Sequence, residues 1–217
     1  MSTIQIAHWR GEFGREYTER NSLTVRQLNQ LYQRNYGLTR SELNQRFLAD
    51  VPRDARILEV GCNIGMQLGM LRDLGFSNLC GIEIQHQALR RARARMPEIL
   101  AAEASVLNIP FADGSFDLIF TSGVLIHVAP TDLRRAMHEI YRCTRRFIWG
   151  FEYHSCNPVE VAYRGNHDLL WKMNYANMFF DEFDNLRMLR REQLSYLDNP
   201  NVDCMFLLEK SGTVSPA

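Results

Sequence analysis

Hydrophobic and polar positions follow two periods along the chain, and together they predict strands that alternate with helices. Apolar runs of strand length occur at five places, namely 56–60, 79–84, 99–104, 116–121 and 147–151. Helical spacing of apolar residues follows three of these runs, at 65–74, 87–95 and 131–143. Strands that alternate with helices favour a parallel sheet with helices on both faces. The pattern therefore predicts an α/β fold whose repeat begins at Arg56.

The two ends of the chain depart from this alternation. Residues 22–36 and 41–50 have the pattern of two helices. Near the other end, residues 186–197 and 202–209 flank a short turn, so we expect an antiparallel hairpin, because a parallel pair needs a long crossover. We therefore expect a helical extension or lid at 1–52, a main domain at 53–210 with an insertion at 153–183 toward the substrate, and a frayed tail at 211–217.

Composition narrows the classes of partner. The 217 residues carry a formal net charge of zero, which argues against a nucleic-acid partner. No apolar run approaches the length of a membrane span, and no signal peptide precedes the first helix, so we expect no membrane association. Five cysteines without a Cys-x-x-Cys pair or zinc spacing indicate a reducing, cytoplasmic setting and no structural metal. The oligomeric state stays open.

A turn with two glycines follows the first strand, in the segment Glu59 to Gly65, EVGCNIG. Gly61 and Gly65 lack a Cβ, so the backbone can come close to a ligand there. The segment resembles the first motif of class I S-adenosylmethionine (SAM) methyltransferases, with Asn63 in place of the middle glycine. Dinucleotide-binding turns need that glycine to approach a pyrophosphate, whereas SAM has no phosphate. The turn therefore favours SAM over NAD.

The carboxyl ends of the strands are the expected cofactor contacts, because ligands of open α/β sheets bind there. Glu83 ends the second strand, where a carboxylate can accept both ribose hydroxyls, and the resemblance implies the same role. Many relatives have an aspartate at the position of Ser105, so the adenine contact differs here. The cofactor contacts predicted in this way are Glu59, Gly61, Cys62, Asn63, Gly65, Glu83, Ile84, Gln85, Ser105, Val106, Thr121 and Ser122.

The N-terminal segment offers two interpretations. Trp9, Phe13 and Tyr17 recur at helical spacing, which is typical of a short helix that packs on the domain. The same segment could instead be a lid over the cofactor cleft, with Arg20 as a polar contact. On the second interpretation Trp9, Tyr17 and Arg20 bind the cofactor.

Several groups that could remove a proton follow the fourth and fifth strands. His127 has an ordinary pKa near working pH and is a candidate general base, although it could instead pack beneath the methionine part of SAM. Glu152 and His154 are the other candidates. No acidic residue lies between Thr121 and Asp132, so we predict no catalytic metal.

A second cluster suggests contacts to the substrate. Tyr153 and Tyr163 are polar aromatics near the end of the fifth strand, and Arg164 could clamp a substrate carboxylate in a bidentate pair. The alternative for Arg164 is a salt bridge to Asp168 or Glu160, and both interpretations stay open.

The chain also resembles, over nearly its full length, the methylases associated with pseudaminic acid biosynthesis. The pieces that carry this likeness are Trp9, Glu12-Phe13-Gly14, Tyr17, Arg20-Asn21, Gly123 to His127, Glu152-Tyr153, Tyr163-Arg164-Gly165 and Phe206 to Lys210. The resemblances imply a Rossmann-like class I methyltransferase sheet, with parallel strands that end in an antiparallel hairpin, behind an N-terminal helical extension. They imply methyl transfer from SAM to an oxygen or nitrogen of a small polar acceptor, for example a sugar acid or another carboxylate. A non-catalytic SAM-binding partner subunit and, less favoured, an NAD-dependent enzyme are the alternatives.

Overall fold

The main sheet has seven strands, five of them parallel. The computed structural model describes residues 3–211. The strands that follow the βα repeat are β1 (Arg56–Val60), β2 (Asn78–Glu83), β3 (Leu100–Glu103), β4 (Phe116–Ser122) and β5 (Thr144–Tyr153). The last two strands of the sheet are β8 (Leu186–Ser195) and β9 (Val202–Lys210). The order across the sheet is β3-β2-β1-β4-β5-β9-β8, with β9 antiparallel to both neighbours. This arrangement confirms the predicted Rossmann-like class.

Helices cover both faces of the sheet. Four precede it: α1 (Ile4–Arg10), α2 (Glu12–Arg20), α3 (Val25–Tyr36) and α4 (Arg40–Phe47). Within the repeat lie α5 (Met66–Asp73), α6 (His86–Arg95), a 3₁₀ turn (Leu125–His127) and α7 (Pro130–Cys143). One core cluster joins Ile119 of β4 to Ile140 of α7, and the other joins Phe120 to Leu71 of α5 and Leu43 of α4. Since Leu43 is fully buried, α4 belongs to the core. The boundary at residue 52 stays a prediction.

The predicted element bounds differ from the structure where capping or pairing decides them. The helix predicted from residue 22 begins at Val25, because Thr24 and Gln27 form a capping box. The helix predicted over 41–50 spans Arg40–Phe47, because Thr39 and Glu42 form a second one. The fifth strand is twice the predicted length because it pairs with β4 on one side and β9 on the other.

The predicted insertion contains more regular structure than its sequence indicates. Two short strands, β6 (Val159–Glu160) and β7 (Trp171–Lys172), pair antiparallel beside the main sheet, and α8 (Tyr175–Glu182) follows. No helix in the described part of the chain is long and apolar enough to cross a membrane. Of the predicted tail, residues 212–217 lie outside the described residues.

Candidate active site

A cavity of about 430 Å³ lies at the carboxyl edge of the parallel strands. The ends of β1, β2, β4 and β5 form its floor, and residues of α1, α2 and α3 complete its walls. Ligand cavities of α/β sheets are expected at this edge. The volume is within the range of small-molecule sites.

The glycine turn after β1 brings the backbone to the cavity. Gly61 has a φ of +70°, and a Cβ added there would lie 2.6 Å from the Cγ2 atom of Val124. The N–H groups of Gly61 and Cys62 both donate to the carbonyl of Ile82, at 2.8 and 3.0 Å, which ties the turn to β2. Asn63 follows with a φ of +46°, an uncommon conformation for a residue other than glycine. Because residue 61 is a glycine, the turn can pack closely against the Val124 side chain.

Glu83 is held rigidly at the end of β2. One carboxylate oxygen accepts from the backbone N–H of Asn63 and the other from that of Gln85, each at 2.8 Å. Burial raises the pKa of Glu83, and these hydrogen bonds oppose the rise. Each carboxylate oxygen has a second lone pair, so the group can still accept hydrogen bonds from ribose hydroxyls.

Besides Oδ1 of Asp203, three buried polar atoms of cavity-lining residues have no hydrogen-bond partner among residues 3–211. They are Nε1 of Trp9, Oε2 of Glu59 and Oδ1 of Asn63. An unsatisfied buried donor or acceptor typically costs about 1–3 kcal/mol, so such atoms favour a ligand that supplies partners. The ammonium, carboxylate and hydroxyl groups of SAM offer both donors and acceptors. The residues present therefore fit this cofactor.

The N-terminal helices close over this part of the cavity. The Trp9 ring contacts those of Tyr17 and Phe13 edge to face, at 5.0 and 5.2 Å between centroids, and lies 4.4 Å from the ring of His127. Trp9 and Tyr17 line the cavity, whereas Arg20 does not. The guanidinium of Arg20 instead contacts Glu16, 3.4 Å away on the same helix.

Glu152 is the cavity carboxyl best suited to accept a proton. It is 1% exposed, and its two oxygens accept from the backbone N–H groups of Val124 and Ile126 at 3.2 and 3.4 Å. Burial raises the pKa of Glu152 to about 7, although the Thr121 hydroxyl and the backbone N–H groups oppose the rise. A general base works best when its pKa lies near working pH.

His127 is less well matched to that role. Its Nδ1 atom lies 2.7 Å from the carbonyl oxygen of Leu169. Because a carbonyl can only accept, Nδ1 carries the proton and Nε2 is the basic nitrogen. Burial lowers the pKa of His127 to about 4, so the ring is neutral and weakly basic near pH 7.

Most of the residues predicted from the sequence meet at this cavity. Those that line it are Trp9, Tyr17, Glu59, Gly61, Cys62, Asn63, Glu83, Ile84, Gln85, Ser105, Val106, Ser122, His127, Glu152, Tyr153 and Tyr163. No group of three or more His, Cys, Asp or Glu side chains in the described part of the chain is placed to hold a metal ion. The absence of a catalytic metal stays a prediction.

Besides Arg20, four predicted residues lie outside the cavity lining, each for a local reason. Gly65 caps α5 and faces Met96, whose Cε would lie 2.6 Å from an added Cβ. Thr121 lies beneath Glu152 and contacts its carboxyl group. His154 contacts Gln193 through Nε2 at 2.8 Å.

Arg164 is the fourth of these residues. It lies in an exposed turn, where its carbonyl accepts from the Asn166 side chain at 3.1 Å. Of the two carboxylates proposed as its partners, that of Glu160 instead accepts from the Asp168 N–H at 3.0 Å and contacts His167.

Sequence reasoning missed the far end of the cavity. Tyr32 and Tyr36 of α3, Tyr196 and Asp203 all line it. Asp203 Oδ2 accepts from the hydroxyls of Tyr36 and of Tyr196, the latter at 3.1 Å. Burial raises the pKa of Asp203 to about 6, against the effect of these hydrogen bonds. The signals available in the sequence were two tyrosines four residues apart on one helix and a carboxylate at the start of a strongly apolar strand.

Comparison with known proteins now bears on this site. Residues 58–146 match the family model described as a methyltransferase domain. The match covers 89 of the 217 residues, so this part of the chain is similar to methyltransferase domains. The matched segment contains the glycine turn, Glu83 and the cavity end of β4. The domain match and the fold indicate SAM as the cofactor.

Individual relatives agree with this domain. A tRNA (carboxymethyluridine(34)-5-O)-methyltransferase of Xenopus tropicalis is 29% identical over 113 residues, which is 49% of this chain and 17% of that protein. A 2-methyl-6-phytyl-1,4-hydroquinone methyltransferase of Synechocystis is 36% identical over 78 residues, or 34% of this chain and 24% of that protein. The chain thus spans less than a third of either relative.

Solved structures share the fold over a longer range. A SAM-dependent methyltransferase of Leishmania major superposes with a TM-score of 0.72 at 16% identity, covering 95% of this chain and 87% of that one. This likeness includes the N-terminal helices as well as the sheet, and at this identity it concerns the fold alone.

Proposed function

We propose that this protein transfers the methyl group of SAM to an oxygen or nitrogen atom of a small polar acceptor. The observation that carries the proposal is the extent of the cavity. It continues from the glycine turn, past Glu152, to Tyr36 and Asp203. A SAM-binding subunit without activity needs no space beyond the cofactor, whereas a methyltransferase needs room for the acceptor beside the methyl group.

Roles follow from the positions of the side chains. Glu83 would hold the ribose, and Glu59, Asn63 and Trp9 would satisfy the methionine part with their unpartnered atoms. When bound, SAM supplies a methyl group that is already activated. The chain's own contribution is then to position the acceptor and to exclude water. Glu152 would take the proton when the acceptor loses one, with His127 packed beside the cofactor.

The size and charge of the site support a small acceptor. The cavity of about 430 Å³ is walled by the N-terminal helices, and the chain's formal net charge is zero. A polyanion such as nucleic acid is usually met by a basic surface. The resemblance to methylases associated with pseudaminic acid biosynthesis also favours a small polar acceptor.

Calorimetry with SAM tests the cofactor half of the proposal. Glu83→Ala should weaken binding by about 1.5–3 kcal/mol, a usual contribution for hydrogen bonds to a charged group. Glu98→Ala is the matched control, since Glu98 pairs with Arg72 outside the cavity. Unchanged affinity in Glu83→Ala would contradict the ribose assignment.

Release of S-adenosylhomocysteine in the presence of small alcohols, amines and carboxylates tests the transfer itself. We expect turnover with at least one of these three classes. Tight SAM binding without transfer to any of them would favour the non-catalytic alternative.

A further inference from the structure

The charged residues that line the cavity all have the same sign. They are the carboxyls Glu59, Glu83, Asp132, Glu152 and Asp203. No lysine or arginine within residues 3–211 lines the cavity. Glu59 and Glu83 lie at the cofactor end, whereas Asp203 lies at the opposite end, where it contacts Tyr36 and Tyr196. This end, formed by Tyr32, Tyr36, Tyr153, Tyr196 and Asp203, is called the acceptor end below.

Within residues 3–211, the Asp203 carboxylate at the acceptor end is hydrogen-bonded through only one of its two oxygens. The residue is 2% exposed, and Oδ2 accepts from two tyrosine hydroxyls. Oδ1 is buried and has no hydrogen-bond partner among the residues described. A buried carboxylate oxygen without a donor is costly, so the site favours a ligand that brings a donor or a positive charge.

Aromatic rings surround this carboxylate. The centroids of Tyr36 and Tyr196 are 4.8 Å apart at 68°, and those of Tyr32 and Tyr36 are 5.2 Å apart. Tyr153 extends the group, 6.4 Å from Tyr196. The faces of aromatic rings attract cations, above all where water is excluded. Tyrosines around a carboxylate are therefore typical of a site for an ammonium group.

Two cationic side chains lie near Asp203 outside the cavity lining, and both contact other residues. Arg40 is fully buried, donates to the hydroxyl of Tyr32 at 2.9 Å and lies 4.5 Å from the centre of the Phe151 ring. Lys172 donates to Asn201 and lies 5.3 Å from the centre of the Tyr153 ring. Both lower the pKa of Asp203, so they favour its ionised form. Neither lines the cavity, so neither is placed to bind an anionic acceptor there.

We propose that the acceptor carries a positively charged amino group, which binds at the acceptor end between the Asp203 carboxylate and the tyrosine rings. The proposal rests on the proposed function and names the class of its substrate. It differs from the acidic acceptor expected from the sequence. The cation expected to bind such an acceptor, Arg164, lies in an exposed turn outside the cavity.

Two probes of the same size and opposite charge test this inference. The protein is saturated with S-adenosylhomocysteine, and benzylammonium or benzoate is titrated at pH 7.5 and constant ionic strength. We expect benzylammonium to bind at least tenfold more tightly than benzoate. Benzoate binding as tightly or more tightly would overturn the proposal, and this comparison needs no variant.

Variants then assign the effect to the carboxylate. Asp203→Asn should reduce benzylammonium affinity at least tenfold, with S-adenosylhomocysteine affinity nearly unchanged. Asp198→Asn is the matched control, since it removes an exposed carboxylate from the same hairpin outside the cavity. Unchanged benzylammonium affinity in Asp203→Asn would refute the proposal. A loss confined to S-adenosylhomocysteine would also refute it, because Asp203 would then hold the cofactor's own ammonium.

The two proposals fail in different ways. Failure of the wild-type protein to bind S-adenosylhomocysteine or SAM would contradict the proposed function. Cofactor binding together with a preference for benzoate would contradict the amino-group proposal alone.

Discussion

Replacement of Glu152 by glutamine should change how the stability of the protein depends on pH. Burial moves the pKa of this carboxyl from its ordinary value of 4.5 to about 7. At about 1.4 kcal/mol per pH unit, ionisation is then about 3 kcal/mol less favourable in the folded protein than in the unfolded chain. The folded protein holds the proton more tightly between these two values, so this group lowers the free energy of unfolding as pH rises from 4.5 to 7. Glutamine cannot ionise and removes that loss.

Urea denaturation at pH 5 and pH 8, in the absence of ligands, measures the effect. The free energy of unfolding of Glu152→Gln, relative to that of the wild type, should rise by up to about 3 kcal/mol between these two pH values. The comparison between pH values matters more than the absolute difference, because glutamine also changes the hydrogen bonds to Val124 and Ile126. Glu182→Gln is the control, because Arg134 and His138 lower the pKa of Glu182 and its carboxyl is therefore mostly ionised in both the folded and the unfolded protein at pH 5 and at pH 8, so its replacement should change the stability difference little between them. If the difference in free energy of unfolding between Glu152→Gln and the wild type is the same at pH 5 and pH 8, the reasoning is refuted.

The same variant tests the catalytic role. If Glu152 accepts a proton from the acceptor, kcat/KM of the wild type should rise with pH through about 7. Glu152→Gln should lose that rise and about 10²–10⁴ in kcat, the usual range for general-base catalysis. A variant with wild-type turnover would leave positioning as the sole contribution of this site.

Three further perturbations examine other parts of the cavity. Gly61→Ala should lower Tm and SAM affinity more than Gly114→Ala. Both glycines have a positive φ, but of the two only Gly61 lies where an added Cβ would meet another side chain. Equal losses in the two variants would contradict the tight packing at Gly61. Trp9→Ala should weaken SAM binding by roughly 1 kcal/mol, as expected for a buried aromatic contact, while the exposed change Arg15→Ala should not. Equal SAM affinities in the two variants would show that the first helix packs on the domain without contacting the cofactor. His127→Asn should keep the rise of kcat/KM near pH 7, because the pKa of about 4 leaves His127 neutral there; loss of the rise would assign the base to His127.

That the glycine turn and Glu83 line one cavity could be predicted because these residues lie close together in the sequence. A buried strand, the turn at Gly61 and the acid at Glu83 follow one another within about one βαβ unit, and parallel pairing of β1 with β2 brings them together. The capping boxes that set the helix starts were also present in the sequence, as Thr24 with Gln27 and Thr39 with Glu42.

The far end of the cavity, at Asp203, could not be predicted in the same way. Asp203 reaches the cavity because antiparallel register pairs it with Tyr153, and it meets Tyr36 because α3 lies beside the hairpin. Neither contact follows from local periodicity. Arg164 shows the opposite case, since a residue adjacent in sequence to the cavity residue Tyr163 lies outside the cavity, in a turn where its φ is +51°. Side-chain direction in such a turn depends on backbone geometry that composition does not reveal.

The two ends of the cavity are formed by different segments of the sequence. The cofactor end comes mainly from the segment 58–146, whereas Tyr36 comes from the helices before it and Tyr196 and Asp203 from the hairpin after it. The hydrogen bond between Tyr36 and Asp203 links these two flanking regions across 167 positions of sequence. A new acceptor could therefore arise through substitutions in the flanks alone, while the sheet edge that holds the cofactor stays the same. Proteins that are similar over 58–146 can therefore differ in substrate. To find proteins that share a substrate, the helices before this segment and the hairpin after it should be compared.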